Sequence, residues 1–221
     1  MSELFSIQLQ NRQQQGRDGV WLDLPTTTEQ VQAALRQIGI SSDNPQGLFI
    51  SGYFAEEEKR FAIPYNMVLA SNVDELNFLA SRLETLSTGE RAELNAALQA
   101  PQSELFSIGK ITDFPENVDY YVHLPDVHGP AQLGDYYLNR SGMVDMPEEW
   151  KGGIDTAQFG RYVAQQEQGA FTQYGYLVKS GDEWQKVHEG QPVPEEYRVL
   201  SFPAPEVLRD AANIPPPVQS T

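Results

Sequence analysis

The side chains of this sequence that could carry chemistry are mostly carboxylates: 31 Asp and Glu residues face 15 Lys and Arg, three His and no Cys. Adjacent pairs such as Glu148-Glu149 and Glu195-Glu196 could supply the acid and base of a hydrolase, since glycosidases use two carboxyl groups with separated pKa values. With so many acids in one chain, adjacent pairs also arise by chance. The pairs therefore favour a solvated surface, and a carboxylate hydrolase is the weakest of our alternatives.

Two histidines flank an acid in the segment His123-Leu-Pro-Asp126-Val-His128, which could be drawn as a metal site. Pro125 prevents a helix from placing both rings on one face, and the spacing matches no common metal site. The sequence also lacks the phosphate-loop, dinucleotide-binding and serine-hydrolase motifs. We therefore expect two loop histidines, no metal, no cofactor and no enzyme activity.

The formal net charge of −16 limits the possible partners. Duplex DNA and anionic lipid would repel such a chain, so we expect no direct nucleic-acid binding and no membrane association. The absence of Cys excludes disulfide scaffolds and thiolate metal sites. Neither a secretory signal nor an apolar run of membrane-spanning length is evident, so we expect a soluble cytoplasmic protein.

The acidic residues are spread along the chain, with 8 acids and 5 bases in residues 1–70, 11 and 4 in residues 71–140, and 12 and 6 in residues 141–221. A dispersed excess of this kind is typical of a surface that keeps a protein soluble. The alternative is that the charge is itself the functional device. Acids three or four residues apart on a helix lie about 5–6 Å apart, so they could offer a DNA-binding protein a substitute polyanion.

The elements that position these acids predict an α+β fold of three small domains followed by a Pro-rich extension. Residues 1–66 form the first domain, an α+β unit with alternating strands at 5–9 and 20–24, a helix over 29–37 capped by Thr28, and a strand over 48–54. Residues 67–101 form a helical domain. There, Ser71 or Asn72 caps one helix, and Ser87 with Glu90 has the spacing of a capping box for the next.

The third domain is predicted over residues 102–181 and is again α+β. It contains a strand near 119–124, helices near 131–139 and from the cap Asp155 to about 166, and a strand pair over 169–178. Residues 182–221 hold seven of the 15 prolines, which predicts an extended appendage with a disordered tip. The letters SELFSI occur at both 2–7 and 103–108, which indicates either two domains that begin with an equivalent edge strand or a coincidence.

Six segments in order resemble the antirestriction protein ArdA family over about residues 19–178. The residues that carry this resemblance are Gly19-Val-Trp-Leu-Asp-Leu-Pro25, Ile38-Gly39, Asp74-Glu-Leu-Asn-Phe-Leu-Ala80 with Leu83, Leu133-Gly-Asp-Tyr136, Pro147-Glu148 with Asp155 and Phe159-Gly-Arg161, and Gly169-Ala-Phe-Thr-Gln-Tyr-Gly-Tyr176. The fifth segment is similar to the antirestriction motif of that family. The chain departs from the family pattern at Gly152, Gly153, Thr156, Ala157 and Tyr162, and the family's acidic neighbours are missing around Tyr53. These departures thin the negative surface locally and bear on potency.

The resemblance implies an inhibitor of type I restriction-modification enzymes, encoded on mobile DNA such as conjugative elements. Such a protein mimics double-stranded DNA, blocks the DNA-binding groove without catalysis, and is elongated and homodimeric. The contact acids we expect are Asp74, Glu75, Glu84, Glu90, Glu93, Asp113, Glu116, Asp119, Asp126, Asp135, Asp145, Glu148, Glu149 and Asp155. For the stretch from Asp155 to Arg161 a structural role, with Gly160 allowing close helix packing, is equally open. The rival from another class is an acidic adaptor or scaffold that binds a partner through its Pro-rich extension.

Overall fold

The structure is a computed structural model that describes residues 3–14, 16, 18–57 and 60–205. The alternating segments near the N-terminus form the predicted sheet: β1 (Phe5–Asn11), β2 (Val20–Leu24) and β3 (Leu48–Phe54). Strand β1 lies in the middle and pairs antiparallel with both neighbours. Its buried side chains, Phe5, Ile7 and Leu9, face inward at every second position, as the pleat of a strand requires.

Helix α1 (Thr28–Gln37) packs on this sheet and begins one residue earlier than the sequence pattern indicates. Thr27, not Thr28, is the cap, because its extended backbone lets its hydroxyl accept from the Gln30 amide while the Gln30 side chain accepts from the Thr27 amide. Gly39 then ends the helical segment with a φ of +66°, a conformation that favours glycine.

The predicted helical hairpin follows, preceded by a short helix that the sequence did not indicate. The three helices are α2 (Tyr65–Leu69), α3 (Val73–Glu84) and α4 (Thr88–Gln99). Asn72 and Ser87 cap α3 and α4, each in a capping box with a Glu three residues later, which confirms the predicted starts. No helix of the described residues is long and apolar enough to cross a membrane.

The third part of the chain forms a second antiparallel sheet with helices beside it. Its elements are α5 (Ile108–Thr112), β4 (Tyr121–Leu124), α6 (Pro130–Asn139), α7 (Glu148–Lys151), α8 (Thr156–Glu167), β5 (Ala170–Thr172) and β6 (Gly175–Lys179). Strand β6 lies between β4 and β5. The predicted strands and the two longer helices are confirmed, whereas the short helices α5 and α7 carry no periodic apolar pattern that could have indicated them.

The repeated hexapeptide adopts two different structures, so the interpretation of two equivalent edge strands is wrong. The first copy enters β1, which is the central strand of its sheet. The second copy contains no strand: Ser107 caps α5 by accepting from the Lys110 amide at 3.2 Å. The shared letters are therefore used once as a strand and once as the start of a helix.

Buried apolar side chains form one large cluster and one small one. The large cluster joins the first sheet, helices α3 and α4 and the start of the third part, and it includes Leu177 and Val199. The small cluster lies under α6 and α8 around Leu133 and Tyr176. The chain is thus α+β as predicted, and the division at residues 66, 101 and 181 stays a prediction.

Residues 182–205, which we call the strap, pack back across the molecule instead of forming a peripheral appendage. Val199 is buried in the large cluster, and Trp184, Leu200 and Phe202 lie against it. Beyond the middle helices the strap reaches the first part, where Ser42 donates to the Pro203 carbonyl at 2.9 Å and Gln32 to Ser201 at 3.1 Å. The predicted disordered tip falls on residues 206–221, which lie outside the described residues.

Candidate partner-binding surface

Six of the predicted contact acids are exposed in the third part of the chain, and five of them are not helix caps. Asp119 lies in the turn before β4 and Asp126 in the turn after it, while the rest belong to the segment that leads into and forms α7. We call these five residues the outer acids: Asp119, Asp126, Asp145, Glu148 and Glu149. Their carboxylates face water, so basic side chains of a partner can pair with them.

Two predicted acids at this surface have local basic partners. Asp135 on α6 is half-buried and pairs with Arg140 at 3.0 Å, and Glu148 pairs with Lys151 at 2.6 Å. Exposed pairs of this kind contribute only about 0–1 kcal/mol, because water and salt screen them. Both acids can therefore exchange their present partner for a basic group of another protein at little cost.

Three other predicted acids serve as helix caps. Glu75 and Glu90 accept from the cap amides of Asn72 and Ser87, and Asp155 accepts from the Gln158 amide at 3.0 Å. Hydrogen bonds from Ser87 hold the pKa of Glu90 below its ordinary value, so this carboxylate stays charged. Negative charge at a helix N-terminus also interacts favourably with the helix dipole.

Asp113 does not lie at the surface, in contrast to our expectation. Its side chain is fully buried, and its two oxygens accept from the backbone amides of Val187, His188 and Glu189 at 3.2, 2.6 and 3.1 Å. Buried carboxylates are tolerated when several N–H donors replace their water. The structure therefore assigns Asp113 to the attachment of the strap, not to a partner.

Asp74 has a similar position on the first turn of α3. One of its carboxylate oxygens accepts from the amides of Val199 and Leu200, both at 2.7 Å, and Asn77 one turn later donates to the Tyr197 carbonyl at 3.0 Å. These groups satisfy strap backbone that would otherwise lose its water on burial. We call Asp74 and Asp113 the inner acids.

The remaining predicted acids, Glu84, Glu93 and Glu116, are all half-buried. Glu116 forms an ion pair with Arg82, which joins the turn after α5 to α3. Burial, together with the charges of Glu90 and Asp119, raises the pKa of Glu93 to about 8. No described residue hydrogen-bonds to the Oε1 atom of Glu93, so this carboxyl group is better suited to a proton than to a charge.

Two glycines allow α6 and α8 to cross closely. One of them, Gly160 on α8, belongs to the stretch that resembles the antirestriction motif. A Cβ at Gly160 would come within 1.8 Å of the Pro130 carbonyl oxygen, and one at Gly134 within 1.9 Å of that of Thr156. Gly160 thus allows the close packing that we predicted. At the departures from the family pattern, Gly152, Gly153 and Tyr162 are exposed, whereas Thr156 and Ala157 are half-buried in the first turn of α8.

One structural acid of the third part was missed by sequence reasoning. Glu167, at the end of α8, accepts from the hydroxyl of Tyr137 on α6 and from that of Tyr176 on β6 at 3.0 Å. Burial is the main cause that raises the pKa of both tyrosines. A single Glu at the end of an amphipathic helix gave no signal of this role. Two exposed acidic pairs of the strap, Asp182-Glu183 and Glu195-Glu196, are also absent from our predicted contact acids. The sequence marks the second pair only as adjacent carboxylates.

We expected two loop histidines, which is correct for His128 and wrong for His123, because that residue is part of a strand. His123 lies in β4, with its Nε2 2.7 Å from the Tyr174 carbonyl, and His128 lies in the turn before α6. Across residues 3–14, 16, 18–57 and 60–205, no three His, Cys, Asp or Glu side chains form a group that could hold a metal ion.

A cleft of about 960 Å³ lies between the strap, α3 and α5. The acids that line it include Asp74, Glu75 and Glu189. A carboxylate hydrolase would need two acids in one cleft with separated pKa values, one of them raised. Glu93 is the one carboxyl group of the described residues with a raised pKa, and it does not line this cleft.

Comparison with known proteins gives one match. A family model described as Antirestriction protein (ArdA) matches residues 15–178, which is more than half of the chain. No curated protein matches. The matched range includes β2 and β3 of the first sheet, the middle helices, the second sheet as far as Val178 and the outer acids. It begins after β1 and ends before the strap begins.

Proposed function

Because the chain belongs to the antirestriction protein ArdA family, we propose that it mimics double-stranded DNA and occupies the DNA-binding groove of a type I restriction-modification enzyme. The observation that carries this proposal is the exposure of the outer acids on a chain whose net charge is −16. The proposed mechanism requires binding alone, so no residue of this chain is given a catalytic role.

The physical basis is competition for positive charge. A DNA-binding groove presents Lys and Arg side chains whose affinity for duplex DNA comes largely from counterion release, and it falls steeply as salt is added. Fixed carboxylates can pair with the same side chains and are steered toward them over several ångströms at low ionic strength. The inhibitor and the DNA then exclude each other from the groove.

Three further parts of the proposal come from the family alone. We propose that the protein acts as a homodimer, so that two outer-acid surfaces together match the length of a DNA site. We also propose that it acts in the cytoplasm, where restriction enzymes bind incoming DNA, and that its gene is carried on mobile DNA elements.

A competition assay tests the proposal. A fluorescent DNA duplex bound to a type I methyltransferase is titrated with the purified full chain at 50 and 300 mM salt. We expect displacement of the duplex at the lower salt. In a direct titration of the methyltransferase without DNA, the affinity for the full chain should be lower at the higher salt, since electrostatic attraction is screened. Failure to displace the duplex from any type I methyltransferase at low salt would sink the idea.

Two charge-matched variants locate the surface. One neutralises outer acids and the other neutralises the same number of exposed acids in the first part: D126N/D145N/E149Q and D18N/E29Q/D43N. At about 0.2–1 kcal/mol per exposed charge, we expect the first variant to bind roughly 3- to 100-fold more weakly at low salt. An equal loss in both variants would show that total charge, not the outer acids, sets the affinity.

A further inference from the structure

The outer face of the first sheet carries two exposed aromatic rings that no element of the described chain covers. Its residues form two rows across the three strands. Trp21, Gln8 and Gly52 share one row, and Asp23, Ser6 and Phe54 share the next. Trp21 is 49% exposed and Phe54 is 57% exposed, whereas the opposite face of the sheet packs into the large core cluster. Large apolar side chains grouped at the surface indicate an interaction site more often than single ones do.

The two rings are held in place by the strands beneath them. The Trp21 indole lies across its row, so that a Cβ at Gly52 would come within 3.0 Å of its Cη2 atom. Phe54 meets the indole edge to face, with 6.5 Å between ring centroids and an interplanar angle of 72°. Because Gly52 has no side chain, the indole can lie close to the sheet while one of its faces remains open to solvent.

Carboxylates border this aromatic pair. Asp23 shares the row of Phe54 and accepts from the Ser6 hydroxyl at 2.8 Å, and that hydroxyl also lies 3.4 Å from Glu3. Glu3 and Glu56 line a small pocket beside Phe54. Asp23 is the sole charged side chain within the three strands, all of whose residues are described.

We propose that this aromatic and acidic face is a second contact surface of the protein, which takes up arginine side chains of its partner by stacking their guanidinium groups on Trp21 and Phe54. The identity of the partner rests on the proposed function, since a DNA-binding groove supplies the arginines. The binding chemistry is independent of the proposed function, because a planar guanidinium stacks on an aromatic face and pairs with a carboxylate at the same time.

A second copy of this chain fits the face poorly. In a twofold interface the same patch meets itself, so the acids of one copy would lie against those of the other. The rows also contain Gln8, Ser6 and Asp23, whereas the centre of a stable dimer interface is depleted of charge. An arginine-bearing partner satisfies both the rings and the acids, whereas a second copy could cover the rings but would bring the acids together.

Peptide binding to the full chain tests this inference without any restriction enzyme. Hexa-arginine and hexa-lysine carry equal charge, so the ratio of their affinities isolates the stacking contribution. We expect the protein to bind hexa-arginine roughly 3- to 10-fold more tightly than hexa-lysine at 150 mM salt. The variant W21L/F54L should bring the ratio close to one, whereas W21F/F54Y, which keeps both rings, should preserve it.

The matched control is F106L, which makes the same Phe-to-Leu substitution at a ring that is 67% exposed elsewhere. Preserved preference in this control with loss in W21L/F54L supports the inference, and an equal loss in both overturns it. Sedimentation of W21L/F54L tests whether a second copy of the chain occupies this face. If the substitutions convert a dimer to monomers, the face is a self-interface and the inference is overturned.

The two proposals fail in different ways. If W21L/F54L displaces duplex DNA from the methyltransferase as well as the unsubstituted chain does, the second contact surface is overturned while DNA mimicry stands. If the unsubstituted chain prefers hexa-arginine yet displaces no DNA, DNA mimicry is overturned and the arginine-binding face stands.

Discussion

The inner and the outer acids have the same chemistry and opposite uses. Asp113 and Asp74 accept five backbone N–H groups between them and hold the strap on the body of the protein. The outer acids lie in turns and on α7, where their carboxylates face water. A formal charge of −16 therefore overstates the negative charge that a partner can contact. The inner acids contribute to the stability of the fold, whereas the outer acids contribute to the proposed binding.

The largest effect on stability should come from removing the fully buried inner acid. Asp113→Ala leaves three backbone amides without their acceptor, and we expect the free energy of unfolding to fall by about 3 kcal/mol. Asp113→Asn keeps one acceptor oxygen and should cost less. Urea unfolding followed by circular dichroism measures both. A stability unchanged by D113A, with DNA competition lost instead, would reverse the assignment of this residue.

The half-buried inner acid should have a smaller effect. Asp74→Ala removes the acceptor of the Val199 and Leu200 amides, which can regain water if the strap lifts, so we expect a loss of about 1–2 kcal/mol. Hydrogen exchange gives the sharper measurement, because these two amides should exchange faster while those of β1 do not. Unchanged exchange at both amides would show that other contacts hold the strap.

Glu93 belongs to neither set, and its effect should depend on pH. Its pKa is about 8 in the folded protein against 4.5 ordinarily, so the folded state holds a proton that the unfolded chain has lost between these values. Stability should therefore fall as pH rises from 4.5 to 8. After allowance for solvent screening, we expect E93Q to be more stable than the unsubstituted chain by roughly 1 kcal/mol at pH 8.5 and equal to it at pH 4.

This prediction is checked by thermal unfolding at several pH values, with E149Q as the exposed control. A constant difference between E93Q and the unsubstituted chain across that range would contradict it, since a titrating group must give a difference that grows with pH.

The smallest effect should come from a single outer acid. E149Q should change the free energy of unfolding by less than about 0.5 kcal/mol, because no buried contact is lost. Its affinity for a type I methyltransferase should fall no more than about fivefold, since a polyanion spreads its energy over many charges. A fall of a hundredfold in the competition assay would mark Glu149 as a specific contact and would separate it from the rest of the outer acids.

Local signals of the sequence predicted much of this fold. Capping residues such as Asn72 and Ser87 determine helix starts within a few residues, and the alternation of β1 reports burial on one face of a sheet. The SELFSI repeat shows the limit of such signals. Phe5 and Ile7 become strand residues because β2 and β3 supply partners on both sides, whereas Ser107 has no such neighbours and caps a helix.

The candidate surface was predictable only in part, for a related reason. Composition and motif order indicated an acidic partner-binding protein, and Asp126 could be assigned to its surface because turn residues are usually exposed. Nothing local separates Asp113 from the outer acids. Its burial depends on amides more than seventy residues later in the chain, and a long-range contact of that kind leaves no periodic trace in the sequence.

The strap also sets an order in which this protein can be completed during synthesis. Its contacts join residues far apart in the chain: Leu200 meets Asp74, Ser201 meets Gln32, and Pro203 meets Ser42. While the ribosome is still translating residues before 182, the first sheet and the middle helices can form, but Asp113 and Phe78 lack the residues that later cover them. Contacts of such sequence separation form slowly, so the nascent chain depends on the strap to close its core.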